Sequence, residues 1–137
     1  MDKIDLMKQT LQSLDVPVKQ QSDLCALTLL AMAGIKPESE FTSATNEWVR
    51  IHDVIVFIKD NYAISYAENS RETFRKQAMH HFRTAAFIED NGKATNSPNY
   101  RYRLTPEFLR VIKNIQEMPA GFVSNLENPA ATQFLRE

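Results

Sequence analysis

Residues 69–87 read NSRETFRKQAMHHFRTAAF, and this stretch decides the fold. Phe74, Ala78, Phe82 and then Ala85 or Ala86 recur at three- and four-residue spacings, which predicts an amphipathic helix with that stripe buried. Asn69 or Ser70 offers an N-cap, and Glu72, three residues beyond Asn69, completes the pattern of a capping box. The opposite arc carries Arg71, Arg75, Lys76, Met79, His80 and Arg83. Its cations crowd the first two turns, where positive charge opposes the helix dipole. Helix stability alone does not favour that placement.

Downstream, Phe87 and Ile88 lead into the polar turn EDNGK, and ATNSPN (94–99) leads into the alternating run Tyr100, Arg101, Tyr102, Arg103, Leu104. Two short antiparallel strands joined by a loop or wing are expected. Arg101 and Arg103 fall on one strand face by the two-residue period, and Tyr100 and Tyr102 on the core-facing one. Thr105 caps and Pro106 opens a further helix, PEFLRVIKNI, which packs through Phe108, Leu109, Ile112 and Ile115. The domain is expected to span 1–117. Residues 118–137, broken by Pro119, Gly121 and Pro129, read as a linker or a tail docked through Phe134 and Leu135.

Upstream, residues 2–14 place Ile4, Leu6, Met7, Leu11 and Leu14 on one stripe, an extra N-terminal helix expected as an outer buttress. Ser22 or Asp23 caps the apolar run LCALTLLAMA, a central buried helix stopped at Gly34 and Pro37. Residues 36–50 lack a period and are expected to plug the core with Phe41 and Trp48. Residues 51–62 bring Ile51, Val54, Ile55, Ile58 and Tyr62 to one side as a helix, although the β-branched run VIV keeps a strand open.

The order helix, helix, basic-faced helix, hairpin, helix predicts a mainly α fold with a small β-hairpin, a winged helix-turn-helix-like domain with an extra N-terminal helix. Length agrees, because 137 residues suit one domain. Three glycines exclude a glycine-rich phosphate loop. Net charge is −1, yet residues 71–113 hold nine basic side chains against four acidic ones, so a plus-five segment lies between negative flanks. That asymmetry points one face at a polyanion.

The candidate contacts to double-stranded DNA are Arg71, Arg75 and Lys76 as base readers, with Thr73, Met79 and His80 beside them. Arg83, Lys93, Arg101 and Arg103 are expected on phosphates. The plainer reading is that the helix merely shows a solvated face.

Catalytic and metal readings find little support. His80 and His81 point in different directions, His52 is remote, and His81 borders the apolar side as a core histidine. The cluster Glu89, Asp90 and Lys93 lacks a strand scaffold for a nuclease cation. Cys25 reads as a buried small hydrophobe in a reducing compartment. No signal peptide or membrane span is apparent, so a soluble cytoplasmic protein is expected.

At CALTLLAMAGIKPESEFTSATN, ENSRETFRKQAMHHFR and ATNSPNYRYRL the chain resembles the N-terminal domain of the BsuBI/PstI family of type II restriction endonucleases. NSRETFRKQAMHHF is the most specific segment, similar to the family's NSRET helix through Arg71, Glu72, Thr73, Arg75, Lys76, Gln77 and His80. Phe74 and His81 depart from the aliphatic residue and Gln expected there.

The resemblance implies a DNA-recognition domain of an enzyme that cuts a short palindromic site, typically CTGCAG. Cleavage would belong to a separate C-terminal nuclease domain that uses Mg2+, with no cofactor in this chain. The expectation is then either a fragment of such an enzyme or a free-standing relative. A palindromic site would suit a two-fold homodimer. Two other classes stay open: a winged-helix transcriptional regulator that binds without cutting, and a winged-helix protein-interaction module.

Overall fold

A computed structural model describes residues 2–116. The expected tail, 118–137, lies outside these residues.

Helix α1 (Lys3–Ser13) starts where the Asp2 carboxylate accepts the Asp5 backbone N–H at 2.8 Å. Leu6, Met7 and Leu11 are buried and Ile4 and Leu14 half-buried, while Asp5, Gln9 and Gln12 on the other face are exposed, as expected of an outer helix packed on the core through one stripe. Helix α2 (Asp23–Ala33) is capped by Ser22, whose hydroxyl accepts the Cys25 N–H at 3.2 Å. Every side chain from Cys25 to Ala33 is buried, as expected for a helix apolar on all sides. It ends at Gly34, whose φ of +69° is left-handed, and the Ile35 N–H then bonds back to the Leu30 carbonyl at 2.9 Å.

The segment between α2 and α3 divides its two aromatic residues. Phe41 is buried, with the Lys3 ammonium 5.1 Å from its ring centroid. Trp48, expected to plug the core, is instead 41% exposed and lies beneath the Arg103 guanidinium, 4.4 Å from the ring centroid. A large ring is kept at the surface by a cation on its face. Val49 exchanges two backbone hydrogen bonds with Tyr102, at 2.7 and 2.8 Å, and so adds a short bridge to the edge of the hairpin.

Helix α3 (Ile51–Tyr62) buries Ile51, Val54, Ile55 and Ile58. The apolar face at helical spacing therefore prevails over the β preference of the VIV run. Helix α4 (residues 71–84) is α-helical over Arg71–Phe74, widens into an i→i+5 turn over Arg75–Met79, and returns to α over His80–Thr84.

Three expectations about α4 are corrected. Ser70 holds the N-cap position, but its side chain makes no capping hydrogen bond, because the chain enters through a 3₁₀ turn, Glu68–Ser70, that is already helical in sense. Ala85, Ala86 and His81 are exposed rather than buried. Met79 is fully buried with Phe74, Ala78 and Phe82. A wider turn advances each residue by a smaller angle, which swings Met79 toward the arc of Ala78 and Phe82. The Gln77 carbonyl in this turn accepts the Cys25 thiol at 3.3 Å.

Strands β1 (Ile88–Asp90) and β2 (Tyr102–Leu104) pair antiparallel, with Ile88 opposite Leu104 and Asp90 opposite Tyr102. Gly92 turns the chain at φ +77°, and its N–H donates to the Asp90 carboxylate at 2.8 Å. Helix α5 (Pro106–Lys113) is capped by Thr105, which accepts the Phe108 N–H at 3.3 Å, and it buries Phe108 and Ile112. Phe87 links α4 to α5, stacked 5.9 Å from Phe82 and 4.3 Å from Phe108. The result is the expected mainly α fold, with a winged hairpin behind the basic helix and an extra helix in front.

Candidate nucleic-acid interface

The first two turns of α4 form one wall of a cleft of about 740 Å³. Arg71, Glu72 and Arg75 project from that wall, with Glu68 and Asn69 of the preceding 3₁₀ turn beside them. Arg50, Ile51 and His52, where α3 begins, make the second wall. Thr95, Ser97 and Pro98 of the wing loop, with Tyr100 and Tyr102, close the third side. The segments NSRET and ATNSPN, separated by twenty residues, therefore face one another across a single depression.

Each wall is held by local hydrogen bonding. The wing loop folds back on itself through Ser97 N–H to the Ala94 carbonyl at 2.8 Å and Asn99 N–H to the Ser97 hydroxyl at 3.1 Å. The Asn91 amide donates to the Asn99 carbonyl at 2.7 Å. Arg101 donates to the carbonyls of Pro98 and Tyr100, at 2.8 and 3.0 Å. Arg83 reaches from α4 to Asp90 and Tyr100, at 3.1 and 3.0 Å, and so fixes the wing against the helix.

Three arginines border the cleft, and each is held by a carboxylate three residues away. Arg50 meets Asp53 at 2.8 Å, Arg71 meets Glu68 at 3.6 Å, and Arg75 meets Glu72 at 3.0 Å. The Arg50 hydrogen bond holds the Asp53 carboxyl below the usual carboxylate range. Glu68 also accepts from His52 Nδ1 at 2.6 Å; a carboxylate only accepts, so this ring nitrogen carries the hydrogen. Glu68 and Glu72 place negative charge at the start of α4, which offsets the unfavourable cations there. Burial pushes the Tyr102 phenol up, and its ring packs edge-on against Tyr100, with centroids 4.9 Å apart.

The residues expected from sequence divide into groups. Arg71 and Arg75 line the cleft. Lys76, His80 and Lys93 are exposed, Thr73 is half-buried, and all four lie outside the cleft lining. Among the described residues, Lys76 and Lys93 enter no ion pair. Met79 belongs to the core and presents nothing to a ligand. Arg83 is turned onto Asp90, Arg101 onto loop carbonyls, and Arg103 onto Glu89 at 2.7 Å and the Trp48 ring.

Both tyrosines border the cleft, Tyr102 buried as expected and Tyr100 only half-buried. Arg50, His52 and Glu68 are cleft residues that the sequence did not mark as ligand contacts, and Glu72 was marked only as a capping residue and as part of the NSRET resemblance. The pairing of Arg50 with Asp53 is readable as a local charge pattern, but its approach to α4 depends on tertiary packing.

Among the described residues, no group of three or more His, Cys, Asp or Glu side chains is placed to hold a metal ion. No helix among them is long and apolar enough to cross a membrane.

Comparison with known proteins gives three related findings. The chain is 33% identical over 124 residues to the type II restriction enzyme BsuBI of Bacillus subtilis, a match covering 84% of this chain and 39% of that enzyme. It is 27% identical over 111 residues to the type II restriction enzyme AplI of Arthrospira platensis, covering 79% of this chain and 34% of the enzyme. The solved structure of the SdaI restriction endonuclease superposes with a TM-score of 0.76 at 25% identity, over 97% of this chain and 40% of that one. The chain thus spans well under half the length of each. The family profile described as the BsuBI/PstI restriction endonuclease HTH domain matches residues 1–133, and the chain belongs to that family.

Proposed function

We propose that this chain recognises duplex DNA for a type II restriction enzyme, seating the duplex against the cleft between α4, the start of α3 and the wing loop. The observation that carries this reading is the convergence of the NSRET and ATNSPN segments, together with three arginines, on one depression. A helix whose exposed N-terminal turns carry long cationic side chains beside a wing is the geometry that enters a major groove and braces on the backbone.

Arg71 and Arg75 are the base readers, with Thr73, Lys76 and His80 at the margin of the contact. Lys93 on the wing turn holds phosphate. Arg83, Arg101 and Arg103 act chiefly inside the protein, by fixing the wing and its loop. The names of the relatives as restriction enzymes support a site-specific nuclease as the parent activity.

The side chains described here do not fit a magnesium site, because no cluster of acidic groups converges. Strand cleavage is assigned to the part of such enzymes that this chain, at 34–40% of the relatives' length, does not span.

Fluorescence-anisotropy titration against duplexes with and without CTGCAG, at two salt concentrations, tests the reading. Binding that weakens steeply with salt and favours one duplex is expected. Absent or salt-insensitive binding would overturn it.

A further inference from the structure

The carboxylates of the cleft do not suit an occupant made of phosphate alone. Glu68 and Glu72 line it beside Arg71 and Arg75, and both would repel a phosphodiester. An occupant that tolerates them must offer hydrogen-bond donors next to acceptors. Base edges in the major groove do so.

We infer that Glu72 and Arg75 act together as a reader of one G·C pair, Arg75 donating to guanine O6 and N7 while Glu72 accepts from cytosine N4. This rests on the duplex-binding function proposed above. Three observations support the assignment. Arg75 Nη1 and the Glu72 carboxylate oxygen lie 3.0 Å apart. Guanine O6 and cytosine N4 of one pair are themselves hydrogen-bonded, hence roughly 3 Å apart, so donor and acceptor on the protein match acceptor and donor on the base pair in spacing as well as in kind. Both side chains are about half exposed, at 46% and 53%, and so are open to a ligand.

The guanidinium fork selects the base pair. A T·A pair also sets an acceptor beside a donor, but thymine O4 is a single acceptor with a methyl group next to it, whereas guanine supplies two acceptors for a bidentate contact. Glu72 is the better placed of the two glutamates, because Glu68 is already shared between His52 and Arg71. Glu72 is thus a specificity-determining residue whose negative charge opposes binding wherever no base amino group meets it.

Selection of duplexes from a randomised pool by the wild-type chain and by Glu72→Gln, followed by affinity measurement on the selected duplexes, tests this. Wild type should prefer G·C at one position by tenfold or more. Glu72→Gln should lose most of that preference while binding non-specific duplexes as tightly or more tightly, with a thermal midpoint lowered by no more than about 4 °C, the loss of one charge at the start of α4. Arg75→Lys should lose preference for the guanine of the same pair. A Glu72→Gln protein that keeps the preference, or a wild type that prefers T·A at the affected position, would overturn the inference and leave duplex binding standing. A wild type that binds no duplex would overturn the function itself and the inference with it.

Discussion

Arg83 on α4 and Tyr100 at the end of the wing loop are joined directly, the guanidinium donating to the phenol oxygen at 3.0 Å while Asp90 accepts from both, at 3.1 and 3.2 Å. These three side chains set the angle at which the wing loop faces the helix. Arg83→Ala is expected to cost about 1 kcal/mol of stability, at the upper end for a partly exposed pair because the tyrosine shares it. The denaturant midpoint checks this, and an unchanged midpoint would remove the clamp from the account.

Acid should dissolve the same clamp. The Asp90 carboxyl sits below the usual carboxylate range, chiefly because it accepts the Gly92 N–H and further because Arg83 and Tyr100 donate to it, against a desolvation that acts the other way. A group depressed in the folded state stabilises above its unfolded pKa, about 3.9 for Asp, and loses that contribution as pH falls through the folded value. Asp90→Asn is therefore expected to be less stable than wild type at pH 7, with the gap closing below about pH 4. Urea melts at pH 7 and pH 3 measure it. A gap that grows on acidification would contradict the sign.

Neighbouring residues of α4 should behave oppositely. Met79 is fully buried and His80 exposed. Met79→Ala should cost about 2–5 kcal/mol by emptying core volume, and His80→Ala should stay within about 0.5 kcal/mol. Equal midpoints for the two variants would place Met79 on the surface after all.

Binding variants should separate base reading from charge. Arg75→Ala is expected to relax base preference, at a cost of about 1–3 kcal/mol on the preferred duplex. Lys93→Ala should weaken all duplexes alike and lower the salt slope by about 1. Anisotropy titrations at several salt concentrations resolve the two patterns, and identical behaviour would erase the division.

Local pattern made much of this fold legible. Phe74, Ala78 and Phe82 announce α4 by spacing, Ser22 and Gly34 bracket α2, and Thr105 with Pro106 opens α5. Each of these depends on residues within one or two turns of one another. Met79 escaped because an i→i+5 turn alters the angle that ordinary helical spacing assumes. Trp48 escaped because its surface position depends on Arg103, fifty-five residues away in sequence. Of the candidate cleft, Arg71 and Arg75 were legible in the residue pattern of α4 and ATNSPN in the family resemblance, whereas Lys93, Arg101 and Arg103 of the wing fall outside its lining and the α3 wall was not foreseen. Arg50 and His52 lie in or beside a stretch without periodicity, and only packing of α3 on α4 brings His52 to Glu68.

An isotope-edited NMR titration of the chain with duplex DNA tests most directly that the cleft is where nucleic acid binds. Amide shifts should concentrate at residues 50–52, 68–76 and 95–100, which surround the depression from its three sides. Shifts clustered instead on the exposed face of α1 and around Val18, or no shifts at all, would contradict the account.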